Sequence, residues 1–567
     1  MLDAFPPPNS ALFGHTGCVG SSLRAAGLEF EHTFNSQNVD DARGRAFDLV
    51  VFAALPAAKW LANKEPARDL ATVQSLQDVL RSVECERFVL ISTIDVYHPT
   101  DDRRDEDGAP GGGAAADGDA LHAYGRHRAL FERFVRDRYG DKAIVVRLPA
   151  LFGLHLKKNY VFDLLHANNV AAINTNTSFQ WYDTSALARN LQRVLALGLR
   201  EVNLFPEPVA TPRLVGLVAD AGLLPDGPVG HAGPAAAYDL CTKHARALGS
   251  SSAGAYSQSA ASVEAAFRAF LARHRLARRT TVSCIAWKEA DDSGAAGALQ
   301  LAGVRLVELA PTRFFSWEEL EAAHAQGGQQ LEALVAGLVG RLAAARLQIS
   351  SVQAILYNKP DLVLFGSPEA RASLVRHVQL IVDLVGALRP AVRPGAPVPI
   401  VFGAPKNRRV PEGMSAAEAD DIFAGTFAGL AAYAQERGCV LCLEPNAAEY
   451  GCNFVTTSRH AAALVRRVAH PGLRVHLDAA CMALAGEDAG AAVADCVDVL
   501  GHVHVSEPFL APLSAPKPDA PARSDHARFA AALDAAGYDK LLSVEMVCSS
   551  LPELAASLAV FASSYAV

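Results

Sequence analysis

The sequence has no uninterrupted apolar run of the roughly 18–20 residues that a bilayer-spanning helix needs. Its first ten residues, MLDAFPPPNS, lack the basic start and apolar run of a secretory signal. Both absences predict a cytoplasmic chain with no membrane partner. Positive charge is not in excess either: 52 Lys and Arg stand against 60 Asp and Glu, a formal net charge of −8. A general nucleic-acid binder would need a basic surface to offset phosphate charge, so no nucleic-acid partner is expected. Cysteines are few, ten in 567 residues, and they stand singly in apolar contexts. Reduced, buried thiols are expected rather than a disulfide framework. Cys439 and Cys442 do form a C-x-x-C, but the surrounding GCVLCLEP reads as a buried strand.

What is present fits a soluble globular chain: 50% of the residues are hydrophobic and 20% charged. The length exceeds one ordinary core and predicts roughly two to four domains. Residues 10–275 open with strand, glycine turn and helix, then alternate strand-like and helix-like runs. Asp48–Ala53, Arg87–Ser92 and Ala143–Leu148 are the clear apolar strands. Such alternation predicts a doubly wound parallel sheet with helices on both faces. Asp101–Ala120 is charged, Gly-rich and apolar-poor, and reads as a mobile surface loop. A helical pattern near Val263–Leu271 and the basic run Arg273–Arg279 place a domain boundary at residue 278. Eight further short apolar runs follow: Val282–Trp287, Leu306–Ala310, Ser351–Leu356, Ile400–Gly403, Val440–Glu444, Val475–Asp478, His502–Ser506 and Leu541–Glu545. Helical segments such as Leu331–Leu347 and Ala416–Arg437 separate them. The α/β architecture expected is a Rossmann-type domain over 1–278, then a (β/α)8 TIM barrel over 279–567.

Leu12–Gly20 reads LFGHTGCVG, with Gly14, Gly17 and Gly20 between a short strand and a helix. Glycine suits a tight turn that lets backbone approach a pyrophosphate, and the helix start offers free N–H groups to it. NAD or NADP is therefore the expected cofactor, with Thr16 and Val19 in the same turn. The second strand ends at Phe34-Asn35-Ser36-Gln37, without the acidic residue that would favour NAD over NADP. Lys59 and Trp60 follow the third strand, where such a cleft opens.

Residues 10–270 also resemble the extended short-chain dehydrogenase/reductases, which include NAD-dependent sugar epimerases and dehydratases. The segment Ser92-Thr93-Ile94-Asp95-Val96-Tyr97 is similar to that family's strand end, and Thr93 falls at its catalytic Ser/Thr. Tyr124 opens YGRHR, similar to Y-x-x-x-K, and Phe179-Gln180-Trp181-Tyr182 is similar to a substrate-side segment. The resemblance implies that Tyr124 exchanges a hydroxyl proton as hydride moves to the nicotinamide. Arg128 stands where the family has Lys. A guanidinium keeps the charge but differs in shape and acidity.

In such barrels the chemistry sits at the C-terminal strand ends. Strands five to eight carry Glu444, Asp478, His504 and Glu545 there. Alternation along each strand turns Leu441, Leu443, Val475, Leu477, Val503, Val505, Leu542, Val544 and Met546 outward, and the four polar residues inward. Three carboxylates in one mouth would repel one another and take up protons, and a divalent cation removes that conflict. Oxygen ligands with one nitrogen suit Mn²⁺, Mg²⁺ or Co²⁺ more than Zn²⁺.

The order Glu, Asp, His, Glu resembles the xylose-isomerase-like sugar phosphate isomerase/epimerase superfamily over about residues 280–567. The resemblance implies that Glu444 and Glu545 hold the metal and act as the acid/base pair, with Asp478 and His504 as ligands. The chain departs from the family's ketose epimerases at Cys481, where they have His, and at Leu510, where they have Arg. An ordinary free ketohexose is therefore not the expected substrate. Gln353, Lys406, Arg408, Asn446 and Tyr450 are the candidate substrate contacts, with Lys406 and Arg408 suited to phosphate or carboxylate. His502 is a candidate partner behind them, and His476 lies deeper. The function expected is a bifunctional carbohydrate enzyme acting on a sugar, sugar phosphate or nucleotide sugar, an assembly of identical chains being compatible with it. The alternative is a metal-dependent dehydratase of a keto-sugar, keto-cyclitol or keto-acid, with a non-catalytic nucleotide-binding N-terminal domain.

Overall fold

The computed structural model describes residues 5–97, 105–108, 121–250 and 255–566. The chain divides into two compact units, Met1–Ala272 and Arg273–Val567. The helix Ala260–Arg279 spans the division. Among the described residues no helix is long and apolar enough to cross a membrane.

The first unit is built on a six-stranded parallel sheet. Its spatial order is His32–Phe34, Ser10–Phe13, Ala46–Phe52, Glu84–Thr93, Ala143–Leu148 and Glu201–Asn203. Apolar residues fill both faces. Phe13, Val50, Phe52, Phe88 and Val145 pack on one side, and Leu12, Val51, Val89, Ile91 and Val146 on the other. Burial on two faces is why these strands read as continuous apolar runs. The order reverses between Ser10–Phe13 and Ala46–Phe52, which both pair parallel at the centre of that half. Gly14 stands at the end of the first strand, so the glycine turn lies at the switch point where such sheets open a crevice.

The stretch 101–120, expected to be a mobile loop, lies outside the described residues except at 105–108. That expectation fails at Glu106. Its buried carboxylate accepts bonds from the Asn203 N–H (2.7 Å), the Lys243 N–H (2.8 Å) and the Thr242 hydroxyl (2.6 Å). Net charge in the segment hid one acidic side chain with three donors waiting for it.

The second unit is a closed barrel of eight parallel strands. They are Thr280–Ser283, Leu306–Leu309, Gln348–Val352, Val398–Phe402, Cys439–Leu443, Leu473–Asp478, Leu500–Ser506 and Leu542–Glu545. The first pairs with the last, Val282 opposite Val544, and closes the cylinder. Leu441, Leu443, Val475, Leu477, Val503, Val505, Leu542, Val544 and Met546 all belong to the apolar layer between strands and helices. Period-two alternation then puts their neighbours on the inner face. The first and third strands begin two to three residues earlier than the apolar runs suggested, at Thr280 and Gln348. Hydroxyl-rich TTVS and ISSV hide these starts. Inside the barrel the hydroxyls pair, Ser350 Oγ donating to Thr281 Oγ1 at 2.7 Å.

Candidate active site

In the barrel mouth, the fifth, sixth, seventh and eighth strands deliver Glu444, Asp478, His504 and Glu545. His504 Nδ1 lies 3.3 Å from Glu545 Oε2 and 3.8 Å from Asp478 Oδ2. The Asp478 side chain is fixed on both oxygens. It caps the short helix behind it, taking the Cys481 N–H at 2.6 Å, and accepts from the Ser506 hydroxyl at 2.6 Å. Glu444 sits beside Gly403, where a Cβ would come within 2.1 Å of its Oε2. Glycine at the end of the fourth strand is thus the condition for Glu444 to occupy its place.

The electrostatics are those of a site short of positive charge. Burial, then Asp478 and Glu545, push the Glu444 carboxyl up to about 8, although His504 pulls it down. Burial and Glu545 raise Asp478 as well. Burial opposes charge on His504, but Glu308 and Glu545 outweigh it and hold its pKa well above the ordinary value.

Glu308, on the second strand, is the functional residue that the sequence reading passed over. Its fully buried carboxylate lies 2.9 Å from His504 Nε2, accepts from His502 Nε2 at 3.0 Å and from the Ser543 hydroxyl at 2.8 Å. Burial works against its charge, but His504 and His502 pull its pKa well below the usual range. The signal was available: Val307 and Leu309 face the helices, so the Glu between them faces the axis. With Nε2 turned to Glu308, the His504 ring presents Nδ1 to the mouth, the arrangement by which a carboxylate orients a metal-binding imidazole.

Ligand atoms of Glu444, His476, Asp478 and His504 all lie within 4.8 Å of one another. His476, which burial and the His504 and His502 rings hold neutral, thus joins the cluster from one layer deeper. Oxygen and imidazole donors at this spacing, with carboxylates in mutual repulsion, fit a divalent cation.

The expected substrate contacts divide. Tyr450 is half-buried at the rim, and its hydroxyl accepts the Phe509 N–H at 3.0 Å. Lys406 is exposed. Gln353 is buried and donates to Ser283 Oγ at 2.7 Å, bracing the third strand end against the first. Arg408 does not reach solvent. Its Nη2 donates to the Glu444 carbonyl and to Asn446 Oδ1, both at 2.6 Å. It holds the strand end that carries Glu444, and Asn446 with it. Sequence could not tell a loop arginine facing a ligand from one turned under the loop. His502 is wholly buried on Glu308 and has no surface in the mouth.

In the first unit, Gly14 has φ +84°, and a Cβ there would lie 2.4 Å from the Ala53 carbonyl oxygen. Gly17 caps the helix Cys18–Ala25, and a Cβ at Gly20 would lie 2.3 Å from the Gly14 oxygen. Gly14 and Gly20 are therefore forced by close approach of backbone, whereas Gly17 has an ordinary φ and a Cβ there would lie 3.2 Å from the Gly14 oxygen. The Thr16 carbonyl accepts from Lys157 Nζ at 2.6 Å, while Val19 packs against the sheet's apolar face.

Tyr124 is buried, its hydroxyl is bonded to Thr93, and burial raises its pKa. Arg128 lies under the Tyr124 ring, its Cζ 4.0 Å from the centroid. Its two Nη atoms are taken up by Asp69 Oδ2 and the Pro56 carbonyl. Both Nη atoms are thus engaged within the fold, while Nε has no hydrogen-bond partner. Beside Thr93, Asp95 accepts from Lys59 Nζ at 2.6 Å, and Tyr238 donates to it at 3.1 Å. Burial opposes the charge of Asp95, yet His122 and Lys59 hold its carboxyl down at about 2. Lys59 is thus paired, whereas Trp60 is 67% exposed. Trp181 and Tyr182 are core residues, and Gln180 ties the Pro206 and Leu240 carbonyls together at 2.6 and 2.7 Å.

Residues 297–563 match the model of the Xylose isomerase-like TIM barrel family. The C-terminal unit is a barrel of this kind. No curated protein matches the chain. Among solved structures, D-psicose 3-epimerase with D-tagatose from Clostridium cellulolyticum H10 is similar at 15% identity, covering 51% of this chain and 99% of that one, with a TM-score of 0.38. The 3-keto-D-glucoside 4-epimerase of E. coli, in its apo form, is similar at 13% identity, covering 50% and 98%, with a TM-score of 0.37. UDP-glucose 4-epimerase with UDP-glucose from Thermotoga maritima is similar at 14% identity, covering 42% and 91%, with a TM-score of 0.34.

Proposed function

We propose that the barrel is a divalent-metal-dependent sugar isomerase or epimerase that moves a proton beside a carbonyl. The observation that carries this reading is the convergence of three mutually repelling carboxylates on His504, with Glu444 pushed up to about 8. The family match over residues 297–563 supports it.

A bound cation would polarise a carbonyl and its neighbouring hydroxyl and so acidify the C–H between them. Glu444, Asp478, His504 and Glu545 would hold it. Glu444 and Glu545 exchange the carbon-bound proton, one removing it and the other returning it. Tyr450 and Lys406 stand at the rim for the sugar's hydroxyls or an anionic substituent, and Asn446 and Gln353 lie within. Arg408 acts through Glu444 rather than on the substrate. In the N-terminal domain, assigned to 1–278 ahead of a barrel over 279–567, Gly14, Gly17, Gly20 and Thr16 would receive the pyrophosphate of NAD or NADP. There Tyr124 and Thr93 would handle the hydroxyl proton of an oxidation that supplies the barrel's ketone.

A second reading keeps the barrel as a lyase, a dehydratase of a keto-sugar, keto-cyclitol or keto-acid, and the first domain as a nucleotide-binding module without turnover. The engagement of Arg128 by Asp69 and Pro56 favours its second half.

The test is activity of the metal-loaded full chain against oxidised and unoxidised sugars, beside Glu545→Gln. Removal of a positioned acid/base group should lower kcat by about 10²–10⁴-fold. Full activity of Glu545→Gln, or of metal-stripped protein, would sink the proposal. Formation of NAD(P)H by wild type, lost in Tyr124→Phe, would decide between the two readings of the first domain.

A further inference from the structure

Three imidazoles, His476, His502 and His504, line the barrel interior beneath the mouth, each no more than 1% exposed. Ring centroids are 4.1 Å apart for His476 and His504, and 5.3 Å for His476 and His502. The three are not equivalent. His502 and His504 each direct Nε2 at the Glu308 carboxylate, at 3.0 and 2.9 Å. Neither ring nitrogen of His476 has a hydrogen-bond partner; the same holds for His504, but His504 faces Glu308, Asp478 and Glu545 at 2.9, 3.8 and 3.3 Å, and His476 is paired with no carboxylate. A fully buried imidazole with both nitrogens unmatched costs about 1–3 kcal/mol for each lost partner, so its persistence calls for a ligand. Its donor atom lies within 4.8 Å of those of Glu444, Asp478 and His504, which surround the same point.

We infer that His476 is a further ligand of the barrel's metal ion, giving it a second imidazole beside the carboxylates. This rests on the metal-dependent reading above and changes what that site selects. A set of oxygens with one nitrogen accepts Mg²⁺. Two imidazoles shift preference toward Co²⁺, Zn²⁺, Fe²⁺ or Mn²⁺ and against Mg²⁺, whose shell is all oxygen. The unmatched nitrogens also have a thermodynamic signature. In the metal-free protein His476 is a liability, and in the loaded protein it is a bond.

The experiment compares wild type with His476→Leu, which removes the imidazole, and His476→Gln, which keeps a polar atom and similar bulk. Mn²⁺ and Co²⁺ affinities are measured by calorimetry on the full chain, and the number of coordinated imidazole nitrogens by pulsed EPR of the Mn²⁺-loaded protein. Two nitrogen couplings are expected in wild type and one in each variant, with Kd weakened by at least about 10-fold. Metal-free His476→Leu should melt no lower than metal-free wild type and lose most of the rise in Tm that Co²⁺ gives. One coupling in wild type, or unchanged Kd in both variants, overturns the inference and leaves His476 satisfied by a buried water. Failure of wild type to bind any divalent cation overturns the metal reading itself. If His476→Leu does not fold, His476→Gln decides.

Discussion

The barrel mouth and the glycine-turn region of the first unit both gather ionised groups, and they treat them in opposite ways. Around Tyr124 the most deeply buried charges have found counter-charges, whereas half-buried Lys158, beside Cys18 and Arg128, is pushed down to about 8 by burial and by Arg128. Arg128 is matched by Asp69, Asp95 by Lys59, and Arg147 by Glu132 and Glu201 at 2.7 and 2.8 Å. In the mouth, Glu444, Asp478 and Glu545 converge on His504, and burial with the neighbouring carboxylates raises the pKa values of Glu444 and Asp478. A matched charge is a structural feature, complete in itself. An unmatched buried one is stable only if something outside the chain completes it. The contrast teaches where to look for chemistry: the barrel mouth keeps carboxylates that repel one another, whereas Arg128 is already matched.

The largest way to break this comparison is at its matched end. Asp69→Asn removes the partner of a guanidinium that is 2% exposed, and leaving a buried charge uncompensated costs about 3–5 kcal/mol. A denaturant titration of the first unit's transition should show that loss. A change below about 0.5 kcal/mol would mean that Arg128 is free to serve a ligand after all.

A smaller effect is expected at the barrel mouth from Glu308→Gln. The amide keeps the shape but cannot anchor two N–H donors as a carboxylate does. Metal affinity should fall by about 10–100-fold through loss of His504 orientation. Equal affinity in the variant, read by calorimetry, would show that the His504 ring is held by packing alone.

The gentlest probe is pH. Glu444 is raised from an ordinary value of 4.5 to about 8 in the folded, metal-free protein. A carboxyl raised by folding contributes its stability below the unfolded pKa, and that contribution is lost as pH climbs through the folded one. Metal-free Tm should therefore fall between about pH 4.5 and about 8, and Glu444→Gln should flatten the slope. Saturating metal should flatten it too, because the cation keeps the carboxylate ionised at no cost. A metal-free protein whose Tm is level over that window would show the mouth to be less strained than its geometry implies.

Much of this was legible in one dimension. The eight apolar runs marked the barrel strands, because each outer strand face must be apolar to pack against a helix. Strand parity put Glu444, Asp478, His504 and Glu545 on the inner face. The Gly14, Gly17 and Gly20 spacing marked a turn that needs glycine at two of its positions, since a Cβ at Gly14 or Gly20 would strike backbone. Each of these follows from local geometry and a repeat of two or three residues.

Other features belong to pairs of residues far apart in the chain. Glu308 meets His502, 194 positions on, and Ser543, 235 positions on, across the barrel axis. Arg128 and Asp69 are 59 positions apart, and Glu106 and Thr242 are 136. No spacing announces such pairs, because a side chain's partner is set by where the sheet or barrel brings the strands. What the sequence determined by itself was which residues must turn inward and which turns need glycine. The tertiary structure alone decided which buried charges are matched within the chain, as Arg128 is, and which, like Glu444, are left among carboxylates that repel them.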